Sequence, residues 1–273
     1  MKIIATNNSG LGNRIKCLLS CLNVDPTAGV CWAEVPGVFS CPFSELFTND
    51  IPQFTEREAR GKRQYDSWRF IPYPHEIIPL NFAIVTADED KIGRKFSGTR
   101  TDGRNFDLEF ERIPQEMKDI YVNLFQSLDI HPTVQGWVDE ASAVFDENTV
   151  SVHIRSWEDQ DPDEESRLRQ EHFFNLNNFI TEMDKFESNV KFFVCSDSVN
   201  VVNKLKKIYG DRILTYDRHS PLETSRSTTV GGQDDLAELL LLSKNSKILG
   251  SYISTFTEVA WWFGGATAEV TIC

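Results

Sequence analysis

From residue 149 onward the chain alternates short apolar runs with segments of helical period, and nothing else in the sequence constrains its fold as tightly. Residues 149–154, 190–195, 212–216, 247–249 and 269–272 are runs of strand length. Between them, residues 171–186, 198–209, 234–243 and 257–263 read as helices, with apolar side chains recurring at three and four. Strands alternating with helices make βαβ units, and βαβ units make a parallel sheet. The N-terminus opens the same way. Residues 2–5 read as a strand, a loop with Gly10 and Gly12 follows, and Leu11, Ile15, Leu18, Leu19 and Leu22 line one face of a helix.

The stretch between is less regular. Residues 27–79 are rich in Pro, Gly and aromatics and predict short strands and loops. Residues 81–86 predict a strand, 88–107 a polar surface loop, and 113–128 and 133–145 two helices, the first with Pro114 in its opening turn. The pattern predicts an α/β protein of two halves, residues 1–135 and 136–273. A chain of 273 residues can bury roughly three quarters of its unfolded surface and needs no covalent staples. The six cysteines fit that expectation. They are scattered, contain no CxxC pair, and read as buried free thiols, with Cys17 and Cys21 on one face of a helix.

Charge narrows the function classes. Lys+Arg 28 against Asp+Glu 41 gives a net charge of −13, which argues against general binding to nucleic acid or anionic membranes. It leaves room for a local basic pocket that holds one phosphate group. No window reaches the ~18 apolar residues of a membrane span, and the chain turns polar directly after Ala5. The reading is a soluble, cytoplasmic protein.

Five segments carry candidate chemistry. In Ser9-Gly10-Leu11-Gly12-Asn13-Arg14, glycines between a strand and a helix let backbone N–H groups approach an anion, and Asn13 and Arg14 can donate to phosphate or sugar oxygens. Ile15 stands where the dinucleotide fingerprint needs its third glycine, so this is not a standard nicotinamide site. In Val152-His153-Ile154-Arg155 an imidazole and a guanidinium share one face at the end of a strand, where open α/β sheets bind ligands. The acidic run of residues 158–165 opens like a calcium loop at Asp159, Asp161 and Asp163. It has Glu164 at the glycine position and Gln170 at the twelfth, which excludes calcium and leaves a solvated loop or a general base. Ser196 and Asp197 end a strand and suit a ribose or base, or a helix cap. The Asp234-Asp235-Leu236-Ala237-Glu238 helix precedes a hydroxyl-rich turn around Ser251, Ser254, Thr255 and Thr257, a second anion cup between strand and helix. His75, His131, His172 and His219 stand isolated and read as surface or core.

The order of these segments resembles the fucosyltransferase superfamily: the rhizobial nodulation and core α1,6-fucosyltransferases and the protein O-fucosyltransferases. The resemblance covers residues 149–263 and, in the N-terminal half, residues 9–14. It implies a GT-B architecture, two Rossmann-like domains with parallel sheets facing a cleft. It also implies inverting transfer of fucose from GDP-fucose to a glycan or other hydroxyl acceptor, with no metal required. By the same resemblance Arg155 clamps the diphosphate and assists the leaving group, and His153 orients it or touches the sugar nucleotide. Asn13 lies beside the donor sugar, and Asp163 takes the place of the base. Asp197 lies near the guanosine, Asp235 or Glu238 contacts guanine, and Ser254, Thr255 and Phe256 form the phosphate-holding turn. Where the α1,6 enzymes carry a second arginine this chain has Ser156. Two other readings stand beside this one: a non-catalytic GDP or nucleotide-sugar binding protein, and an unrelated nucleotide-dependent dehydrogenase.

Overall fold

Ten strands form among the residues described by the structure, a computed structural model that describes residues 2–66, 77–80, 83–86, 115–158, 164–252 and 254–273. They are β1 (Ile3–Ala5), β2 (Gly29–Val30), β3 (Arg63–Tyr65), β4 (Ile77–Leu80), β5 (Ala83–Thr86), β6 (Val150–Ile154), β7 (Phe192–Ser196), β8 (Ile213–Leu214), β9 (Lys247–Gly250) and β10 (Glu269–Ile272). A three-stranded parallel sheet has the order β2-β1-β3, and β4 pairs antiparallel with β5. A five-stranded sheet has the order β10-β9-β6-β7-β8, with every pair parallel. Renumbered from its own first strand, that is 3-2-1-4-5, the doubly-wound order, and its direction reverses between β6 and β9. The α/β, GT-B-like expectation is thus met by parallel sheets built from βαβ units. The loop expected at 88–107 lies outside the described residues.

The chain divides into two compact units. Among the described residues the first takes those up to 86, those from 115 to Trp137, and Arg218–Ala237; the second takes Val138–Asp217 and Glu238–Cys273. Two of the divisions fall inside helices, Pro132–Ser142 and Thr229–Leu242, and a third falls between Asp217 and Arg218, outside any helix.

In the second unit, β6 is buried along its whole length. One face carries Val150, Val152 and Ile154 into a core with Phe192, Val194 and Leu249, covered by Phe179 and Met183 of one helix and Val201 and Leu205 of another. Each such side chain contributes about 1.5–3 kcal/mol on burial. The other face holds Ser151 and His153, polar but satisfied: Ser151 Oγ donates to the Leu242 carbonyl at 2.8 Å and accepts from Asn245 Nδ2 at 2.9 Å. The helix expected over 171–186 is two helices, Glu164–Phe173 and Leu176–Met183. Asn175 breaks it, because its side chain accepts from the Asn177 N–H and starts the second helix as an N-cap. The helix expected from 234 begins five residues earlier, at Thr229, and runs through Gly231 and Gly232. These glycines are there for contact rather than to break the helix. A Cβ on Gly231 would collide with the Ser225 backbone, and one on Gly232 with Cys41.

In the first unit, β1 is buried and the helix Leu11–Val24 covers it with Leu11, Ile15, Leu18 and Leu19. Gly29 admits the Phe54 ring against β2, where any Cβ would strike it. Trp32, Phe39, Phe43 and Phe47 form an aromatic cluster, with Trp32 edge-on to the other three. All six cysteines are free, and five are buried.

Candidate functional site

The switch point of the five-stranded sheet gathers the polar residues of the second unit. β6 ends at Ile154, in register with Ser196 of β7, so the residues just beyond each strand meet. Arg155 Nη1 donates to Asp197 Oδ2 at 2.7 Å. Asp197 also accepts from the Ser156 N–H at 2.7 Å, Ser156 Oγ at 3.0 Å and the Trp157 N–H at 3.1 Å. Both carboxylate oxygens are therefore committed to the turn after β6. That turn places Trp157 at φ +56, a left-handed conformation costing a side-chain-bearing residue about 1–3 kcal/mol; the bonds from Asp197 hold it. Arg155 Cζ lies 5.5 Å from the Trp157 ring centroid.

On the other side of β6 the turn after β9 makes the second half of the arrangement. Ser251 Oγ accepts from the Arg155 N–H at 2.7 Å and donates to the His153 carbonyl at 3.1 Å. His153 Nδ1 lies 2.8 Å from Thr257 Oγ1 and 3.4 Å from Ser254 Oγ, and its ring stacks on Phe256 at 5.0 Å. Gly250 permits this, since a Cβ there would collide with the Thr257 side chain. Ser254 caps the helix Thr255–Phe263 by accepting from the Thr257 N–H. Burial, with Arg155 adding to it, lowers the His153 pKa to about 4, so the imidazole is neutral near pH 7. A guanidinium, a neutral imidazole, three hydroxyls and the positive end of a helix converge on one edge. That donor set suits a diphosphate.

The expected residues are distributed as follows. His153, Arg155, Ser254 and Phe256 come together, with Thr255 opening the capped helix. Asp197, expected near a guanosine, is the clamp on Arg155. Ser196 Oγ accepts from the Ser198 N–H. Asp163 lies outside the described residues. Glu238 is half-buried, and its carbonyl accepts from Cys195 Sγ at 3.9 Å. Ser251 and Thr257 were part of the hydroxyl-rich turn in sequence, but their bonds to β6 could not be foreseen without the sheet register.

The first unit holds the remaining candidates. Asn7 Oδ1 accepts from the Ser9 N–H at 2.9 Å and shapes the loop after β1, and Gly10 precedes the helix that contains Gly12. A Cβ on Gly10 would meet nothing within 4 Å, so the loop is open there. Asn13 Oδ1 is buried without a hydrogen-bond partner among the described residues. Arg14 is fully buried rather than presented on the loop. Its Nε donates to the Ser9 carbonyl at 2.7 Å, its guanidinium lies over Phe39, and burial lowers its pKa to about 10. Asp235, expected at guanine, pairs with Arg218 Nη2 at 2.7 Å, and burial raises its carboxyl above the ordinary range. His219 is not isolated. It stacks on Trp137 at 3.8 Å, and Asp234 accepts from its N–H, from its Nδ1 side at 3.2 Å, and from the Ser220 N–H. Among the described residues no group of three or more His, Cys, Asp and Glu is gathered as a metal site, and no helix is long and apolar enough to cross a membrane.

The fold is similar to that of solved fucosyltransferases. NodZ α-1,6-fucosyltransferase soaked with GDP-fucose aligns at a TM-score of 0.53 and 14% identity, over 96% of this chain and 92% of that one. NodZ co-crystallized with GDP gives 0.51 and 16%, over 95% and 91%. Fucosyltransferase NodZ from Bradyrhizobium gives 0.52 and 15%, over 95% and 91%. The likeness is one of fold, and it falls on the superfamily that the sequence motifs resemble. No protein-family model matches the chain, and no curated protein matches it.

Proposed function

We propose that this chain is a glycosyltransferase that moves fucose from GDP-fucose to a hydroxyl of a glycan or other acceptor, with inversion and without a required metal. The observation that carries the reading is the junction of His153, Arg155, Ser254 and Thr257 at the switch point of a doubly-wound sheet, in a fold shared with fucosyltransferases. The C-terminal half binds the nucleotide sugar and the N-terminal half serves the acceptor side. The six free thiols suit a cytoplasmic enzyme.

In this reading the acceptor oxygen forms a bond to the anomeric carbon as the bond from that carbon to the GDP oxygen breaks. Negative charge grows on the departing diphosphate, and Arg155 stabilises it with its planar fork. Asp197 fixes the direction of that fork. With Thr257 and Ser254 at Nδ1, the neutral His153 ring is held in place, and its other nitrogen donates to the diphosphate when it carries the proton. The amides opening the helix Thr255–Phe263 add to the same charge. Asp163 takes the acceptor proton, Asn13 contacts the sugar, and Glu238 and Asp235 serve the base.

The test is a thermal-shift panel of GDP, GDP-fucose, GDP-mannose, UDP, ADP and NADH, with and without EDTA. A ligand at 100 times its dissociation constant adds about 2.7 kcal/mol of stability. A shift with GDP and GDP-fucose alone, indifferent to EDTA and followed by GDP release with an acceptor, is the expected result. No shift with any guanosine nucleotide would overturn the proposal. A GDP shift with no turnover over a wide acceptor panel would leave a nucleotide-sugar binding protein.

A further inference from the structure

The carboxyl edge of the three-stranded sheet holds a cavity of about 240 Å³. The residue directly after each strand lines it: Thr6 after β1, Cys31 after β2 and Asp66 after β3. In this sheet β1 is central, and the chain runs from it to β2 on one side and then crosses to β3 on the other. The cavity therefore sits outside the carboxyl ends of the strands at a topological switch, where open α/β sheets take ligands.

Its lining specifies the ligand's chemistry. Ala59, which is buried, and Cys31 supply an apolar floor. The rest of the wall is polar and of both hydrogen-bonding kinds, with Arg60, Asn8 and Gln64 able to donate and Asp66 and Glu56 to accept. Asp66 uses Oδ1 on Asn7 Nδ2 at 3.1 Å, and its other oxygen has no partner among the described residues. Two carboxylates against one guanidinium leave the wall net negative, which disfavours a phosphate. The volume lies below the roughly 300–1,000 Å³ of sites that enclose drug-sized ligands, so it suits one small ring rather than a nucleotide. We propose that this cavity binds a single neutral, polyhydroxylated ring, the hydroxyl-bearing sugar that the proposed transfer requires as acceptor. The inference rests on that reading for the word acceptor, while the binding itself does not.

The experiment uses the full chain labelled with ¹⁵N and titrated with D-glucose, N-acetyl-D-glucosamine and D-glucose 6-phosphate, without nucleotide. Saturable shifts at the amides of Asn8, Cys31, Arg60, Gln64 and Asp66 are expected with a neutral sugar, with the phosphate ester at least ten-fold weaker. Asp66→Asn should weaken the sugar at least five-fold and leave GDP affinity unchanged. Arg60→Ala, at an exposed position that tolerates truncation, is the second variant and should act likewise. No shift at these amides, tighter binding of the phosphate ester, or wild-type affinity in both variants would overturn the inference. Failure of GDP to bind, with sugar binding intact, would instead overturn the proposed function and leave the cavity a sugar site.

Discussion

The carboxyl edges of the two parallel sheets are built on opposite plans. At the five-stranded sheet the polar groups hold one another: Asp197 takes four hydrogen bonds, Ser251 bridges the His153 carbonyl and the Arg155 N–H, and His153 Nδ1 rests on two hydroxyls. In the three-stranded unit Asn13 Oδ1, both Nη atoms of Arg14 and Trp32 Nε1 are buried without hydrogen-bond partners among the described residues. A buried unpaired group costs about 1–3 kcal/mol. One edge is thus organised before any ligand arrives, while the other keeps hydrogen-bonding capacity unspent. Preorganised charge is what a transition state rewards, and unspent capacity is what ligand binding can satisfy.

Substitutions can break or sharpen this contrast. Arg155→Ala removes the cation at the organised edge and should lower the transfer rate by roughly 10²–10³, as loss of one charge-stabilising donor does, with the far-ultraviolet circular dichroism spectrum unchanged. Retained activity in GDP-release assays would sink the mechanism. His153 gives a pH signature. Folded, it titrates at about 4; unfolded, near 6.5. Between those values the unfolded chain binds the extra proton, so this residue's contribution to stability is complete above pH 6.5 and is lost as pH falls towards 4. The loss amounts to about 3 kcal/mol. Urea midpoints between pH 7.5 and 4 should show that component, and His153→Gln should remove it.

Asp197→Ala frees the turn that holds Trp157 and should cost about 2 kcal/mol, read from urea denaturation, with kcat falling more than KM rises. Thr257→Val keeps the shape but removes the hydroxyl at His153 Nδ1, for about 1 kcal/mol. The smallest effect belongs to the other edge. Asn13→Ala deletes an unpartnered oxygen and should change the thermal midpoint by no more than the loss of three side-chain heavy atoms explains. A loss of 2 kcal/mol there would mean the open edge is as organised as the closed one.

The sequence displayed the second unit more fully than the first, for a physical reason. β6 and β7 are five residues each, long enough for strand periodicity to register, and Ser198 and Ser254 cap helices where small polar residues stand before apolar runs. β2 has two residues and β3 three, too few to carry any period. At the site, the pairing of His153 with Arg155 was visible from a spacing of two. Their commitments to Thr257 and Asp197 were not, because those partners are reached across neighbouring strands, and strand order is not written locally. The helix read from residue 234 also takes in Gly231 and Gly232, whose role is set by what presses against them. Asn175 is the reverse case, a polar residue inside a helical pattern that ends one helix and caps the next.

The pairing of β6 with β9 also imposes a schedule. Ser151 lies against Ile248, about a hundred residues further along the chain. A ribosome adding about 5–20 residues per second needs roughly 5–20 s to supply that distance. During that interval β6 can already be joined to β7, made some forty residues later, yet its other flank presents unpaired backbone N–H and C=O groups. The segment Arg218–Ala237, which emerges in the meantime, goes to the other unit. The nascent chain therefore carries an open sheet edge for seconds at the strand that later bears His153. An open edge is a template for foreign strands, so recovery of this protein should depend on how fast the residues between β6 and β9 are made.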